Sequence, residues 1–300
     1  MQVLSMKHND RLAAYANMIE EGLAHFLPLE GLLQQEVMEA MRYSALGGGK
    51  RLRGAFVLEF CRISGGSVEA ALPYACAIEM IHAYSLIHDD LPCMDDDELR
   101  RGKPCCHKVY GEATALLAGD GLLNRAFETA LSEEAVSGVG EARALRLSRE
   151  LAGAAGYYGM IGGQCIDLAY DGRVPDRATL DRLISLKTGA LIRVACRMGC
   201  IAAGAGEAQI AAADTFAAKL GQAFQIRDDM LDVEGDAATL GKAVHADEKQ
   251  GKTTYPALLG MDTCRAEVER LTEEANLALK AFSDTEFLQE LALALVTRMN

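Results

Sequence analysis

The sequence predicts an all-α fold, one antiparallel helical bundle around a single large core. Helix-compatible segments alternate with short breaks marked by glycine or proline, and the sequence has neither sustained period-two alternation nor an Asn-Gly hairpin turn. Half of the 300 residues are hydrophobic, which suffices for a large core. No linker divides the chain, so residues 1–300 are expected to form a single domain.

The predicted helices lie between these breaks. The segment 10–27 ends at Pro28, 32–46 ends at the glycine run 47–49, and 52–64 ends at Gly65. Further helices are predicted at 68–91, 111–135, 141–158, 176–203, 207–233, 264–281 and 284–299. The stretch from Leu180 to Ala203 is apolar around much of its circumference, which is typical of a central helix or of an oligomer contact.

Composition excludes several classes of protein. A formal net charge of −13 and the absence of tryptophan disfavour nucleic-acid binding. No stretch approaches the roughly 20 apolar residues of a membrane span, and residues 1–10 lack the apolar run of a signal peptide. Nine cysteines, none in a Cys-x-x-Cys pair, indicate reduced thiols in a cytoplasmic protein.

Two aspartate clusters are the sharpest feature of the sequence. The first runs from Asp89 to Asp95 and is followed by three more acidic residues; the second runs from Asp228 to Asp232. Each follows a long apolar helical segment, so each is predicted near a helix C-terminus, where negative charge is unfavourable. A regular helix would put Asp89 and Asp95 on different faces, so we expect the helix to kink or loosen at Pro92 and bring Asp95 back towards Asp89.

A bound cation would neutralise these carboxylates. Hard oxygen ligands select Mg²⁺, Mn²⁺ or Ca²⁺. For either cluster alone, a solvated acidic helix end is the competing interpretation. Two such clusters, each behind a hydrophobic helix, favour metal binding. Asp228 and Asp232 share one helical face with Gly221 and Gln225, beside a core face, which is the pattern of a cavity wall.

A glycine-rich basic turn supplies positive charge. Gly47 to Gly49 lead into Lys50, Arg51 and Arg53 at the start of a predicted helix. Glycine permits close backbone approach and arginine offers a bidentate fork for phosphate oxygens. The Gly-Lys-Ser/Thr of a P-loop is absent, which disfavours nucleotide binding. For Arg100 and Arg101, which follow the first acidic run, local charge balancing is the competing interpretation.

These segments together resemble the bacterial farnesyl diphosphate synthases, within the polyprenyl diphosphate synthase family. The run from Ile81 to Pro104 resembles the first aspartate-rich motif of that family. Four further segments resemble its other motifs in the same order: 48–53, 187–188, 224–232 and 251–256. One departure is Gly54, where the family usually has proline after the second arginine of the basic motif.

The resemblance implies an isoprenoid-synthase helical bundle around a central cavity, a homodimer, and three Mg²⁺ ions per active site, with Mn²⁺ as an alternative. It assigns Asp89, Asp90 and Asp95 to two ions and Asp228, assisted by Asp229 or Asp232, to the third. Isopentenyl diphosphate would contact Gly49, Lys50, Arg53, His82 and Arg101. Allylic diphosphate would contact Arg100, Lys187, Thr188, Gln225, Lys242 and Lys252. The catalytic set would be Asp89, Asp90, Asp95, Arg100, Lys187 and Asp228.

Product length should depend on an apolar tunnel below the first aspartates. Helical spacing places Ser85 and Ile81 one and two turns below Asp89. Tyr84 stands where the family's chain-length determinant falls, and its bulk favours a fifteen-carbon product. A twenty-carbon, geranylgeranyl product is the alternative. A terpene cyclase normally lacks the second Asp-Asp-x-x-Asp, and a non-catalytic regulatory subunit would be expected to lose one cluster.

Overall fold

The computed structural model of this chain describes residues 4–29, 31–234 and 254–297. The described chain is almost entirely helical, so the all-α prediction is confirmed. The first half contains α1 (Met6–Phe26), α2 (Gln35–Ala45), α3 (Leu52–Ile63), α4 (Val68–Asp89), β1 (Leu99–Arg100), β2 (Lys103–Pro104), α5 (Cys106–Tyr110), α6 (Glu112–Ala130), α7 (Glu133–Val139) and α8 (Glu141–Ala155).

The second half continues in the same style. It contains α9 (Met160–Ala169), α10 (Arg177–Ile184), a π-helical turn (Ser185–Gly189), α11 (Ala190–Ala203), α12 (Glu207–Glu234), α13 (Tyr255–Leu259), α14 (Met261–Ala278), a 3-10 turn (Leu279–Ala281) and α15 (Glu286–Val296).

Two compact units make up the chain. The N-terminal unit comprises Arg11–Leu151 and Met198–Ala205; the C-terminal unit comprises Met1–Asp10, Ala152–Arg197 and Gly206–Asn300. In the N-terminal unit α4 packs against α3 and α6, and in the C-terminal unit α12 packs against α14. The expectation of one domain over residues 1–300 stays a prediction, as does the central cavity.

Side-chain caps fix several helix starts. The Ser67 hydroxyl accepts a hydrogen bond from the Ala70 N–H at 3.2 Å at the start of α4. Ser132 caps α7 through the Ala135 N–H, and Asp176 caps α10 through the Thr179 N–H. Each cap satisfies a backbone donor that the first helical turn leaves unpaired. Because Ser132 caps the start of α7, the chain breaks between α6 and α7. The prediction of a single helix over 111–135 was therefore wrong.

Three short helices and a hairpin were not predicted. The helices α5, α9 and α13 fall in segments rich in glycine or bounded by proline, where the 3.6-residue pattern is weak. The hairpin pairs Leu99 with Pro104 and Arg100 with Lys103. Its turn residues, Arg101 and Gly102, have φ of 55° and 75°, the geometry of a tight hairpin turn that Asn-Gly usually forms.

The helix α4 is the most apolar long helix. By length and composition Val68–Asp89 would suffice to cross a membrane. The prediction that no stretch approaches the length of a membrane span did not identify this helix. Of its most hydropathic 18-residue window, 72% is buried inside the protein. Such burial is what a core helix shows, and it places the first aspartate cluster at the end of a rigid, packed element.

Candidate active site

The first aspartate cluster begins where α4 ends. Asp89 is the last residue of α4 and Asp90 is its C-cap. The chain then turns at Leu91 and Pro92, since a residue before proline disfavours helix. The Asp95 N–H donates a hydrogen bond to the Asp89 carbonyl at 2.9 Å. The turn therefore returns Asp95 to Asp89, as the position of Pro92 predicted, although the helix ends there rather than kinks.

Asp90 is paired within the N-terminal unit. It is 3% exposed, and the Arg100 Nε donates to its Oδ1 at 3.0 Å, with a second contact from the Arg100 Nη2. Arg100 also donates to Asp97 at 3.0 Å. Although burial opposes it, the bond and charge of Asp90 raise the pKa of Arg100. In this structure the charge of Arg100 is therefore balanced by neighbouring aspartates. A bound diphosphate would compete with Asp90 for the guanidinium.

The hairpin carries Arg101 to the glycine-rich turn. The Arg101 Nη1 donates to the Gly48 carbonyl. Gly49 has a φ of 128°, and a Cβ there would lie 2.6 Å from the Arg101 Nη1. Glycine is therefore required at 49 both for the backbone conformation and for the close approach of the guanidinium. Two of the predicted isopentenyl diphosphate ligands, Gly49 and Arg101, are brought together.

Arg53 and His82 belong to the same electrostatic cluster. Burial lowers the pKa of Arg53, and burial followed by the charges of Arg53 and Arg101 holds the pKa of His82 well below its usual range. The Arg53 Nε is buried and has no hydrogen-bond partner among the described residues. Lys50 is exposed at the rim. A buried guanidinium nitrogen without an acceptor, amid other cations, is a site that favours an anion.

A small cavity lies beside this cluster. It has a volume of about 50 Å³ and is lined by residues that include Gly47, Asp90, Arg100 and Arg101. Cys105 and Cys106, an adjacent pair to which no motif assigns a role, line it as well. Burial, followed by the contact with Asp90, raises the pKa of the Cys105 thiol to about 12. Both cysteines are therefore neutral walls of the cavity at physiological pH.

The predicted product-length residues occupy the buried part of α4. Tyr84 is 4% exposed, its ring lies edge-on to His88 at 5.7 Å, and its buried hydroxyl has no hydrogen-bond partner among the described residues. Burial and then the charge of Asp89 raise its pKa to about 12. Ile81 is fully buried, and the Ser85 hydroxyl donates to the His82 carbonyl at 2.9 Å. Tyr84 is thus a bulky, neutral group on α4, five residues before Asp89.

In the C-terminal unit, Lys187 and Thr188 lie in the π-helical turn. A Cβ on Gly163 of α9 would lie 2.3 Å from the Lys187 backbone nitrogen, so glycine is needed where α9 meets this turn. The Lys187 Nζ contacts the Asp167 Oδ2 at 2.5 Å. Single π-helical turns inside helices are frequent at functional sites. Asp167 was missed by the sequence analysis because it lies in α9, whose glycines obscured the helix.

The second aspartate cluster presents two faces of α12. Asp228 and Asp232 are partly exposed on one face, as their spacing predicted. Asp229 faces the interior, 5% exposed, and accepts hydrogen bonds from the Gln225 Nε2 and the Tyr255 N–H, both at 2.9 Å. Gln225 in turn contacts the Thr188 hydroxyl at 3.4 Å. The structure therefore connects Thr188, Gln225 and Asp229, three of the predicted site residues.

A buried tyrosine extends this network. Tyr255 is fully buried, and its hydroxyl donates to the Asp181 Oδ1 at 2.6 Å. Asp181 also accepts from Gln222 at 3.2 Å and from Arg177 at 3.3 Å. Neither Tyr255 nor Asp181 was predicted as a site residue, although Tyr255 lies in the segment 251–256 that resembles a family motif. Lys242 and Lys252, both predicted ligands, lie outside the described residues.

The donor set is suited to magnesium. Mg²⁺ binds through one or two carboxylates and completes its shell with water and substrate phosphates. Among residues 4–29, 31–234 and 254–297, no three His, Cys, Asp or Glu side chains are placed to hold a metal ion by themselves. The half-buried Asp89 with the exposed Asp95, and Asp228 with Asp232, offer two oxygen donors each. They fit an ion whose remaining ligands come from solvent and a diphosphate.

Comparison with known proteins agrees with this geometry. The model of the family described as polyprenyl synthetase matches residues 34–292. The farnesyl diphosphate synthase of Escherichia coli is 43% identical over 98% of this chain and 99% of its own. The chloroplastic geranylgeranyl pyrophosphate synthase 3 of Arabidopsis thaliana is 44% identical over 86% of this chain and 72% of its own.

A solved structure extends the likeness to the fold. The crystal structure of an FPP/GFPP synthase from Zymomonas mobilis superposes with a TM-score of 0.88 at 37% identity, covering 98% of this chain and all of that one. The family model, the relatives and the fold agree over nearly the whole length. Members of this family use Mg²⁺. The chain belongs to the polyprenyl synthetase family.

Proposed function

We propose that this protein is a magnesium-dependent prenyltransferase that joins isopentenyl diphosphate head-to-tail to dimethylallyl or geranyl diphosphate and releases farnesyl diphosphate. The observation that carries the proposal is the basic cluster of Arg53, His82 and Arg101 around the glycine-rich turn. It contains a buried Arg53 Nε without an acceptor among the described residues, next to the aspartate turn at Asp89 to Asp95. The relatives' names supply the substrate class.

The substrates would divide between two sets of cations. Isopentenyl diphosphate would bind to Gly49, Lys50, Arg53, His82 and Arg101. The allylic diphosphate would bind to Arg100, Lys187, Thr188, Gln225, Lys242 and Lys252. The pairing of Thr188 with Gln225, and of Lys187 with Asp167, supports a preorganised allylic set.

Three Mg²⁺ ions would assist, with Mn²⁺ as a substitute. Asp89, Asp90 and Asp95 would hold two of them, and Asp228 would hold the third. We favour Asp232 over Asp229 as its companion, because the Asp229 carboxylate already accepts two hydrogen bonds inside the unit. The ions would supply charge neutralisation of the departing diphosphate.

The chemistry would be ionisation followed by condensation. The allylic C–O bond breaks and its electron pair leaves with the diphosphate, whose charge Arg100 and Lys187 stabilise. The C4 alkene carbon of isopentenyl diphosphate then forms a bond to the allylic cation, and a proton leaves C2 for the released diphosphate. His82 stays neutral in its cationic surroundings, so it would donate a hydrogen bond to substrate rather than carry charge.

Tyr84 supports a fifteen-carbon product. Its buried ring beneath Asp89 would block a longer chain, with Ile81 and Ser85 on the same part of α4. The twenty-carbon product is the alternative, since geranylgeranyl synthases are among the relatives. Both aspartate clusters and the basic turn are intact in this sequence, which disfavours a terpene cyclase and a non-catalytic subunit.

We further propose a cytoplasmic homodimer in which residues 1–300 act as one functional domain. The helix α6 exposes Leu116 and Leu117, 46% and 53% accessible, and Leu145 on α8 is 68% accessible. Exposed leucines of this kind are the side chains that a subunit contact would cover. Light scattering on the purified protein would test it, and a monomer at micromolar concentration would contradict it.

The main test is direct. Purified protein is incubated with labelled isopentenyl diphosphate, Mg²⁺ and either dimethylallyl, geranyl or farnesyl diphosphate, and the products are sized by chromatography. We expect fifteen-carbon product from the two shorter starters and none when a chelator removes the metal. Failure to incorporate label with any starter would contradict the proposed function, and a twenty-carbon product would favour the alternative.

A further inference from the structure

The start of α3 is anchored to a buried carboxylate of α4. The Gly54 N–H donates to the Glu79 Oε1 at 2.9 Å, and Glu79 is 3% exposed. A proline at position 54, the residue of the family pattern, has no N–H to donate. The bond therefore depends on this chain's departure from that pattern.

Glu79 also contacts the residue that begins the helix. Its Oε2 lies 3.6 Å from the Arg51 Nη1, and Arg51 is N-cap of α3 with a φ of 48°. The left-handed region is unfavourable for arginine and persists only where surrounding contacts impose it. Further contacts come from the Glu20 Oε1 at 2.6 Å and the Ala45 carbonyl at 2.5 Å.

Arg53 lies between these two anchors. Arg51 precedes it by two residues and Gly54 follows it, so Glu79 fixes the backbone on both sides. The charge of Glu79 also favours the protonated forms of the partly buried Arg53 and of the exposed Arg101. The backbone of Arg53, whose guanidinium Nε has no acceptor among the described residues, is therefore held in place before any anion arrives.

We propose that Glu79 is a positioning residue for the diphosphate site: its carboxylate, bonded to the Gly54 N–H and paired with Arg51, holds Arg53 in the orientation that binds the anion. The identity of that anion as isopentenyl diphosphate rests on the proposed function. The anchoring itself rests on the contacts of Glu79, all within the N-terminal unit.

Four variants distinguish the loss of the hydrogen bond between Gly54 and Glu79 from the other effects of substitution. Glu79→Gln keeps an acceptor for the Gly54 N–H, and Glu79→Ala removes it. Gly54→Pro removes the donor, and Gly54→Ala keeps it. A Cβ at position 54 would meet the Ile19 Cδ1 at 2.6 Å, a flexible side-chain end, and both the Ala75 carbonyl and the Glu79 Cγ at 3.3 Å. The alanine variant therefore measures the effect of added bulk, including bulk against Glu79, while the N–H is kept.

The expected result is a split between the two substrates. Glu79→Ala and Gly54→Pro raise the KM for isopentenyl diphosphate about tenfold, while Glu79→Gln and Gly54→Ala stay within about threefold. The KM for geranyl diphosphate changes less than about twofold in all four, because its proposed ligands are not anchored by Glu79. Circular dichroism and thermal melting verify folding, and if Glu79→Ala does not fold, the Gly54 pair carries the test.

Two results would overturn the proposal: an unchanged KM for isopentenyl diphosphate in Glu79→Ala and Gly54→Pro, or an equal rise in both KM values, which would indicate general loosening. Binding of inorganic diphosphate, measured by calorimetry on the same variants, separates this inference from the proposed function. If the wild type transfers no prenyl group but binds diphosphate, weaker binding in Glu79→Ala and Gly54→Pro alone would still support anchoring by Glu79. Equal binding in all variants would refute it.

Discussion

Substitution of Asp229 tests whether the second aspartate cluster has an internal half and a metal-binding half. In Asp229→Asn, one carboxylate oxygen becomes an amide NH₂ that must face either the Gln225 Nε2 or the Tyr255 N–H. The backbone donor of Tyr255 has no alternative orientation, so the amide oxygen should remain there. Gln225 must then rotate its own amide, which disturbs its contact with Thr188.

The size of the effect follows from burial. Asp229 is 5% exposed, and hydrogen bonds to a buried charged acceptor are worth roughly 1.5–3 kcal/mol each. Because the asparagine retains one bond, we expect a loss of about 1–3 kcal/mol. For a chain of 300 residues that corresponds to a fall in Tm of roughly 2–5 °C.

Asp228→Asn is the matched control. Asp228 is adjacent in sequence and partly exposed, so its Tm should change by less than about 1–2 °C, as for most surface substitutions. The Mg²⁺ concentration that gives half-maximal turnover should rise at least about tenfold in Asp228→Asn and less than about threefold in Asp229→Asn. Differential scanning calorimetry and initial rates over a magnesium series measure both. An Asp229→Asn protein with unchanged Tm and impaired magnesium dependence would refute the assignment.

Three further predictions concern other parts of the site. Asp89→Ala should lower kcat by at least about a hundredfold in steady-state assays, and near-normal turnover in excess Mg²⁺ would exclude a metal role. Tyr84→Ala should give products longer than fifteen carbons by chromatography, and an unchanged product spectrum would contradict its role as the floor. Because the folded-state pKa of His82 is depressed, the unfolded chain binds the proton first as pH falls below about 6.5. The free energy of unfolding should therefore decrease below that pH, less steeply in His82→Gln, and identical denaturation profiles would refute this.

Much of the fold could be predicted from local signals in the sequence. The glycines at 65 and 66 marked the break before α4, and Pro92 predicted the turn that returns Asp95 to Asp89. The two aspartate clusters were identifiable because carboxylates at helix C-termini are unfavourable with the helix dipole. That conflict can be recognised from the sequence alone. The correct predictions were therefore those that depend on a few residues close together in the sequence.

Contacts between distant segments could not be derived in the same way. The π-helical turn at Ser185–Gly189 meets α9 at Gly163, and no local pattern announces it. The hairpin at Arg101 and Gly102 lacks the usual Asn-Gly pair, because an arginine that contacts the Gly48 carbonyl occupies the first turn position. The difference between the partly exposed Asp228 and the hydrogen-bonded Asp229 likewise depends on Tyr255, which is 26 residues further along the chain.

The ion pairs of the site indicate how metal and diphosphate would bind together. Arg100 is paired with Asp90, and Lys187 with Asp167, so these two predicted ligands of the allylic diphosphate are already neutralised by carboxylates. A diphosphate alone would have to break such a pair and leave Asp90 buried without a partner, which is costly. Magnesium alone would release Arg100 beside other cations. If both bound together, Asp90 would be available to hold the ion and Arg100 to hold the diphosphate, so one set of ion pairs would replace another. The affinity for either should therefore depend strongly on the presence of the other.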